Sequence, residues 1–308
     1  MKFRKIFSAL LSAVFLISSM GITAAATPET VQDKLGAIEK DTYGTVQTGA
    51  LIDRINKLEK DYDGSHRSGS MMARVNAIYD EVYTNSTKPS LLADLNAVEW
   101  NIGHEVSMDP VDTRMADLEM DMTGKTGTGT YKERLATLSK ASFGSATLPL
   151  DQVRVPADTL IKIAIVTPVN SNNLKVGDTI QYKIADDVIV NGKLVFAKGL
   201  PGEGTVTKVK QARNFGRNAE VTIDFNKTKS IDGTYVDTYI GEAAKKEMKS
   251  LAMAAGASLA GIAILGPIGI VAGAFVHGKD VNLPAGTELY IQTKADTTLY
   301  GVVTTQAQ

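Results

Sequence analysis

Three histidines and one pair of adjacent carboxylates are the residues in this chain best suited to acid–base or metal chemistry. His66, His104 and His277 stand in unrelated contexts, with no spacing that would bring two imidazoles onto one metal ion. Asp186 and Asp187 are neighbours in an alternating segment read as a strand, which turns their carboxylates to opposite faces, so they do not form a catalytic pair. Gly199-Leu200-Pro201-Gly202-Glu203-Gly204 is glycine-rich, but it leads into a strand and lacks the Lys-Ser/Thr of a phosphate loop. It reads as a tight corner. There is no cysteine, so thiol nucleophiles, thiolate metal sites and disulfides are excluded. No acid, base and nucleophile converge. A non-enzymatic protein is expected, with no cofactor and no bound metal.

What remains is chemistry of contact. Arg213-Asn214-Phe215-Gly216-Arg217 is a basic loop carrying one aromatic. Arg213, Phe215 and Arg217 could meet lipid head groups or an acidic polymer, or form a solvated hairpin loop. Trp100, the sole tryptophan, is either a core anchor or an exposed interaction residue. Asn85-Ser86-Thr87 and Asn226-Lys227-Thr228 match a glycosylation acceptor, which has no meaning if the cell is bacterial.

The elements that must carry these residues begin with a repeat array. Six 14-residue blocks start at 31, 51, 71, 91, 111 and 131, a constant period of 20. Block positions 1, 5 and 8 are apolar in every block apart from the amphipathic Tyr131, and steps of four and three make one helical stripe. Position 4 is basic in Lys34, Arg54, Arg74, Arg114 and Arg134. Position 9 is Glu in Glu39, Glu59, Glu99 and Glu119. Five residues apart, they are out of register for pairing within one helix, so they either pair between repeats, lie on a solvated charged face or form a binding face. Gly44, Gly64, Gly124 and Gly144 at position 14 read as left-handed C-caps. One such helix buries too little to stand alone, so the helices must stack into an antiparallel bundle or an α-solenoid.

After the linker Ala146-Thr147-Leu148-Pro149 the apolar period becomes two. Ile161, Ile163 and Ile165 alternate with other residues, as do Ile180, Tyr182 and Ile184, and Val221, Ile223 and Phe225. Asn191-Gly192 and Asp232-Gly233 are hairpin signals. Strands are expected near 158–166, 179–186, 188–191, 193–198, 202–210, 219–227, 234–240, 286–293 and 297–303, forming an antiparallel β-barrel or sandwich. Val155-Pro156-Ala157-Asp158-Thr159-Leu160 is echoed by Leu283-Pro284-Ala285-Gly286-Thr287-Glu288-Leu289. The echo places the last strands in the same sheet as the first.

Between those strands lies Leu251 to Val276, uncharged for 26 residues and punctuated by Gly256, Gly261, Gly266, Gly269 and Gly273. Small residues at such spacings let helix backbones approach closely in lipid. The stretch reads as a membrane-inserting glycine zipper or as a helix buried in a soluble domain. As one helix it would run about 39 Å, enough to cross a bilayer. A single crossing would strand residues 286–303 on the far side from their sheet. A helical hairpin centred on Gly266-Pro267-Ile268-Gly269, with arms near 251–265 and 268–276, returns both ends to the β domain.

The β region resembles the C-terminal barrel of the outer-membrane pore subunit of type IV secretion and conjugation systems. The matching residues are Pro156-Ala157-Asp158-Thr159, Asn170-Ser171-Asn172, Phe196-Ala197-Lys198-Gly199, Gly204-Thr205-Val206 and the inserted hairpin at 251–276. The resemblance implies that the hairpin is helical and lies in the outer membrane. It does not extend to that family's uncleaved inner-membrane anchor and Pro-rich periplasmic span. The apolar stretch is also similar to the glycine-zipper segments of small bacterial envelope proteins, which implies a diderm envelope.

Met1-Lys2-Phe3-Arg4-Lys5, an apolar run to Ile22 and Ala24-Ala25-Ala26 form a secretory signal peptide cleaved after Ala26. Removing its three basic residues leaves 30 basic against 34 acidic, no nucleic-acid footprint. The expected organisation is a signal peptide at 1–26, helical repeats at 27–148, and an antiparallel β domain at 153–303 with a glycine-rich insertion at 242–279. The class is α+β. The expected function is a cell-envelope scaffold or binding arm in the periplasm or outer membrane. The hairpin would meet membrane or a second copy, and the repeats a cell-wall polymer or envelope protein. The alternative is a soluble exported binding module, secreted or at the cell surface, with the apolar stretch in its own core.

Overall fold

The computed structural model describes residues 30–211, 219–254, 262–264, 270–272 and 280–304, and for 252–254, 262–264 and 270–272 the backbone alone. The six blocks are six helices of 13 residues each: α1 Val31–Tyr43, α2 Leu51–Asp63, α3 Met71–Tyr83, α4 Leu91–Gly103, α5 Val111–Thr123 and α6 Tyr131–Phe143. Their starts are capped by side chains where the sequence allows. Thr30 and Thr130 form capping boxes with Asp33 and Glu133, and Ser70 and Ser90 each accept one backbone N–H. Gly44, Gly64, Gly124 and Gly144 end their helices at φ of 74–82°, and His104 takes the same left-handed place after α4 at φ 52°.

Positions 5 and 8 of all six blocks, from Leu35 and Ile38 to Leu135 and Leu138, meet in one core. Position 1 is less uniform: Leu91, Val111 and Tyr131 are buried, while Met71 is exposed. Contacts run between sequence neighbours but also from α1 to α3 and α5, from α2 to α6 and from α4 to α6. Those non-neighbour contacts make the array a bundle closed on itself rather than an open solenoid.

The β region holds β1 Leu150–Val155, β2 Leu160–Ile165, β3 Val169–Asn170, β4 Thr179–Ile184, β5 Val188–Val190, β6 Lys193–Phe196, β7 Pro201–Lys210, β8 Glu220–Lys229 and β9 Tyr235–Tyr239. After α7, Glu242–Ala254, come β10 Ile262–Ile264, β11 Ile270–Ala272, β12 Asn282–Leu283, β13 Glu288–Thr293 and β14 Thr297–Val303. Six strands close a barrel in the order β13-β2-β4-β7-β8-β9, joined at Gln292↔Tyr239 and Thr293↔Thr238. A second sheet, β1-β14-β6-β5, lies beside it. Strict alternation of buried residues along β2 and β4 fills the interior with Ile161, Ile163, Ile180, Tyr182 and their neighbours. Asn191-Gly192 has positive φ at both residues, the requirement of the expected two-residue hairpin turn. β1 was not among the expected strands; its Asp151, Gln152 and Arg154 are exposed, which mutes the alternation.

The inserted stretch differs from the expected helical hairpin. Among the described residues only its first ones, 251–254, are helical, as the end of α7, whose Ala244 and Met248 are buried in the barrel core. Beyond them β10 and β11 pair antiparallel, from Ile262↔Ala272 to Ile264↔Ile270, and β11 lies against β8. The chain therefore reverses between these two extended segments, 262–264 and 270–272. The physical reason is compositional. Ile262, Ile264, Ile270 and Val271 are β-branched, and each glycine inside a helix costs about 1 kcal/mol relative to alanine. No helix among the described residues is long and apolar enough to cross a membrane.

Candidate functional site

The two charged positions of the repeats meet between neighbours. Arg54 reaches back to Glu39, Arg74 to Glu59, Arg114 to Glu99 and Arg134 to Glu119, at 2.5–2.9 Å. These pairs are not a solvated face, because Glu39 and Glu59 are fully buried. The same glutamates clip the following loop: Glu39 accepts the Gln47 N–H and Glu119 the Gly127 N–H. Burial pushes Glu59 and Glu119 up, but Arg74 with the Arg67 N–H, and Arg134 with the Gly127 N–H, outweigh it and hold both below the usual carboxylate range. The clamp is thus a structural joint repeated down the bundle.

It is missing once. At the α3–α4 junction position 9 is Tyr79 and position 4 is Asp94, and the loop of this junction bonds to the β domain through Asn85 and Ser86. Helix α4 is apolar on two sides. Leu95 and Val98 enter the bundle core, and Ala93 and Ala97 enter the barrel core. Asn96 Nδ2 donates to the Ile231 carbonyl at 2.9 Å and Asn85 Nδ2 to the Asp232 carbonyl at 2.7 Å, so α4 and the loop before it clasp the β8–β9 turn. Asn85 therefore carries an interface bond, a role its Asn-Ser-Thr context did not suggest.

Trp100 lies half-buried in this seam, packed on the barrel core, with Nε1–H donating to Asp187 at 2.8 Å. It joins the two halves of the chain. Asp187 also accepts the Lys198 N–H, and Asp186 pairs with Lys162. Both carboxylates lie in the turn between β4 and β5, not within a strand as expected. Gly199, in the expected corner, has φ +91° and sits so close to the array that a Cβ would stand 2.2 Å from the Val106 carbonyl oxygen. His66 lies 3.5 Å from Glu59, and His104 stacks edge-on against Trp100. Among the described residues no three His, Cys, Asp or Glu cluster around a metal position. Arg213, Phe215, Arg217, Gly256, Gly261, Gly266, Pro267, Gly269, Gly273, His277 and the signal peptide lie outside the described residues.

Beside the seam the two halves part into an open cleft of about 490 Å³. Its array side is the end of α1, the face of α4 and the loop leading to Pro110; its barrel side is β4, the start of β7 and the β8–β9 ends. Tyr235 and Met108, 50% and 53% exposed, stand in it. Tyr79 lies near its rim, pushed up by burial and then by Asp41, Asp80 and Tyr235. Sequence reading did not find this cleft, because its residues come from six segments and none forms a motif. The available signal was the break in the repeat pattern at Tyr79 and Asp94.

No family model matches this chain, and no curated protein matches it. Among solved structures it is similar to ComB10 of the Com type IV secretion system of Helicobacter pylori, at 12% identity and a TM-score of 0.26, over 46% of this chain and 88% of that one. A likeness at this level says nothing about what this chain does.

Proposed function

We propose that this is a non-enzymatic, exported cell-envelope protein of a diderm bacterium. In this reading the helical bundle is a rigid arm. The barrel carries the glycine-rich insertion to a membrane or to a second copy. The observation that carries the reading is where the insertion begins and ends. It leaves through α7, packed on β13, and returns through β12 and β13 into the same closed barrel, with β10 and β11 antiparallel between. Both ends of an uncharged 26-residue stretch are thereby held on one side, which suits partial insertion or self-association and not a crossing. The signal-peptide pattern and the absence of cysteine support export without disulfides.

A second reading has its own support. β11 lies against β8, so the insertion folds back on its own barrel. That suits a soluble exported module which covers its apolar stretch itself. Fractionation of cells making the full chain separates the two readings. The first expects the mature protein in the membrane fraction, released by detergent and not by high salt. A wholly soluble monomer in the periplasmic fraction would leave only the second. Gly261→Leu with Gly269→Leu, followed by extraction and sizing, then asks whether the glycines mediate the association.

A further inference from the structure

The cleft between bundle and barrel has the chemistry of a site for a neutral, hydroxyl-rich chain. Its lining balances three cationic residues, among them Lys40 and Lys229, against three acidic ones, among them Glu203. A balanced lining has no field that would favour a polyanion or a polycation. Lys40, Gln181, Glu203 and Lys229 make no side-chain hydrogen bond or ion pair within the protein, among the described residues. Lys40 offers a donor from the bundle wall, and Gln181, Glu203 and Lys229 offer donors and acceptors from the barrel wall. Tyr235 is the one exposed Tyr, Phe or Trp among the described residues, and it stands in this cleft. The Lys229 ammonium lies 5.2 Å from the centre of its ring, which fixes one face and leaves the ring as a platform. An aromatic ring carries negative charge on its faces, and the polarised C–H bonds of a sugar ring lie well on such a face. The volume falls in the ordinary range of ligand sites, about 300–1,000 Å³. Elsewhere along the seam the bundle and barrel are closed by Trp100 and Asn85, and Asn96 closes the edge of the cleft itself, so the gap is local.

We propose that this cleft binds a segment of an uncharged glycan, with Tyr235 as the stacking platform and Gln181, Lys40 and Glu203 as the hydroxyl and amide partners. The proposal deepens the envelope reading by naming a ligand, since wall glycan is what an exported arm would meet, but its geometry does not depend on the cell compartment. The test uses the full mature chain and the tetramer of β-1,4-linked N-acetylglucosamine as probe, followed by calorimetry and by chemical-shift changes. Wild type is expected to bind the tetramer, Tyr235→Phe to keep that binding, and Tyr235→Ala and Gln181→Ala to weaken it at least tenfold. Unchanged thermal unfolding of each variant separates loss of the platform from loss of the fold. The proposal is overturned by no binding at millimolar tetramer, by equal binding in Tyr235→Ala, or by tighter binding of a neutral Pro/Ser-rich peptide than of the saccharide. Binding by a protein that fractionates away from the envelope would sink the envelope reading and leave this site standing.

Discussion

Asp158 and Gly286 hold the same place in two copies of one turn, related by a local two-fold between β2 and β13. Both have positive φ, 63° and 84°. The Asp158 N–H donates to the Thr293 carbonyl and the Gly286 N–H to the Ile165 carbonyl, each at 2.8 Å. Two residues before each stands the proline of the echo, whose carbonyl accepts the following threonine hydroxyl: Thr159 to Pro156 at 2.8 Å, Thr287 to Pro284 at 2.7 Å. The echoed strands are antiparallel neighbours, and the insertion lies between them in the chain.

The Gly286 turn is expected to reject branched side chains for backbone reasons alone. A Cβ there would meet nothing within 4 Å, so only the left-handed conformation opposes it. Gly286→Val should cost about 1–2 kcal/mol in urea unfolding, and Gly286→Asn clearly less, since Asn tolerates that region. Equal costs for the two would mean that the turn is not held left-handed in solution.

The buried clamps should be expensive to halve and cheaper to replace whole. Arg74→Ala leaves Glu59 buried without its partner and should cost about 3–5 kcal/mol, while Arg74→Met with Glu59→Leu, which leaves only the Arg67 N–H without its acceptor, should cost clearly less. Glu59 and Glu119 are both held below the usual carboxylate range, so the stability they contribute is present above their unfolded pKa, about 4.3, and is lost as pH falls through the lower folded values. Acid titration of the bundle's circular dichroism reads this directly. Loss of helix beginning near neutral pH would contradict it.

The repeats show how much could be read from residue order alone. A period of 20 with apolar positions 5 and 8 dictates the six helices and their shared core, and position 14 their ends. It does not say whether neighbours stack in a line or close, because closure depends on α1 meeting α5 and α2 meeting α6, contacts no local pattern encodes. The barrel's strands were legible for the same reason as the helices: Ile161-Ile163-Ile165 and Ile180-Tyr182-Ile184 keep the pleat period, and the echo put the strand after the insertion in the sheet of β2. The insertion misled because uncharged glycine-rich chain suits close-packed helices in lipid as well as extended chain on a barrel. Its β-branched Ile262, Ile264, Ile270 and Val271 were the overlooked counter-signal. The cleft was illegible because it arises from the docking of two units, and docking is written in single departures such as Tyr79 and Asp94.

Asp94 is expected to make stability fall as pH rises. Burial pushes its carboxyl up to about 7, with Lys88 pulling the other way. Its folded pKa thus exceeds the unfolded value, so between about pH 4 and 7 the folded state holds the extra proton. The penalty of ionising it is absent at low pH and complete above the folded pKa. Asp94→Asn should therefore gain stability at pH 8, on the order of 1–3 kcal/mol given its partial exposure, and gain little at pH 4. Urea unfolding at the two pH values checks this. An equal gain at both would mean that the charge is not the cause.

Gly199 and Trp100 together offer a direct test that bundle and barrel act as one unit. A Cβ on Gly199 would collide with the backbone of Val106, and its φ of +91° disfavours any side chain. Gly199→Ala should cost about 2–4 kcal/mol from overpacking and backbone strain. It must also push the loop at Val106 away from the corner where Val106 N–H donates to the Lys198 carbonyl at 2.8 Å. Trp100 sits three residues before the end of α4, bonded to Asp187, and is the sole tryptophan, so its emission reports the seam without interference. Opening the seam should shift that emission to the red in the folded protein. Gly192→Ala is the matched control: Gly192 also has positive φ, 73°, but its Cβ would meet nothing within 4 Å. It should lose about 1 kcal/mol and leave the emission unchanged. A red shift in both variants, or in neither, would mean that the contact between Gly199 and Val106 does not hold the two units together.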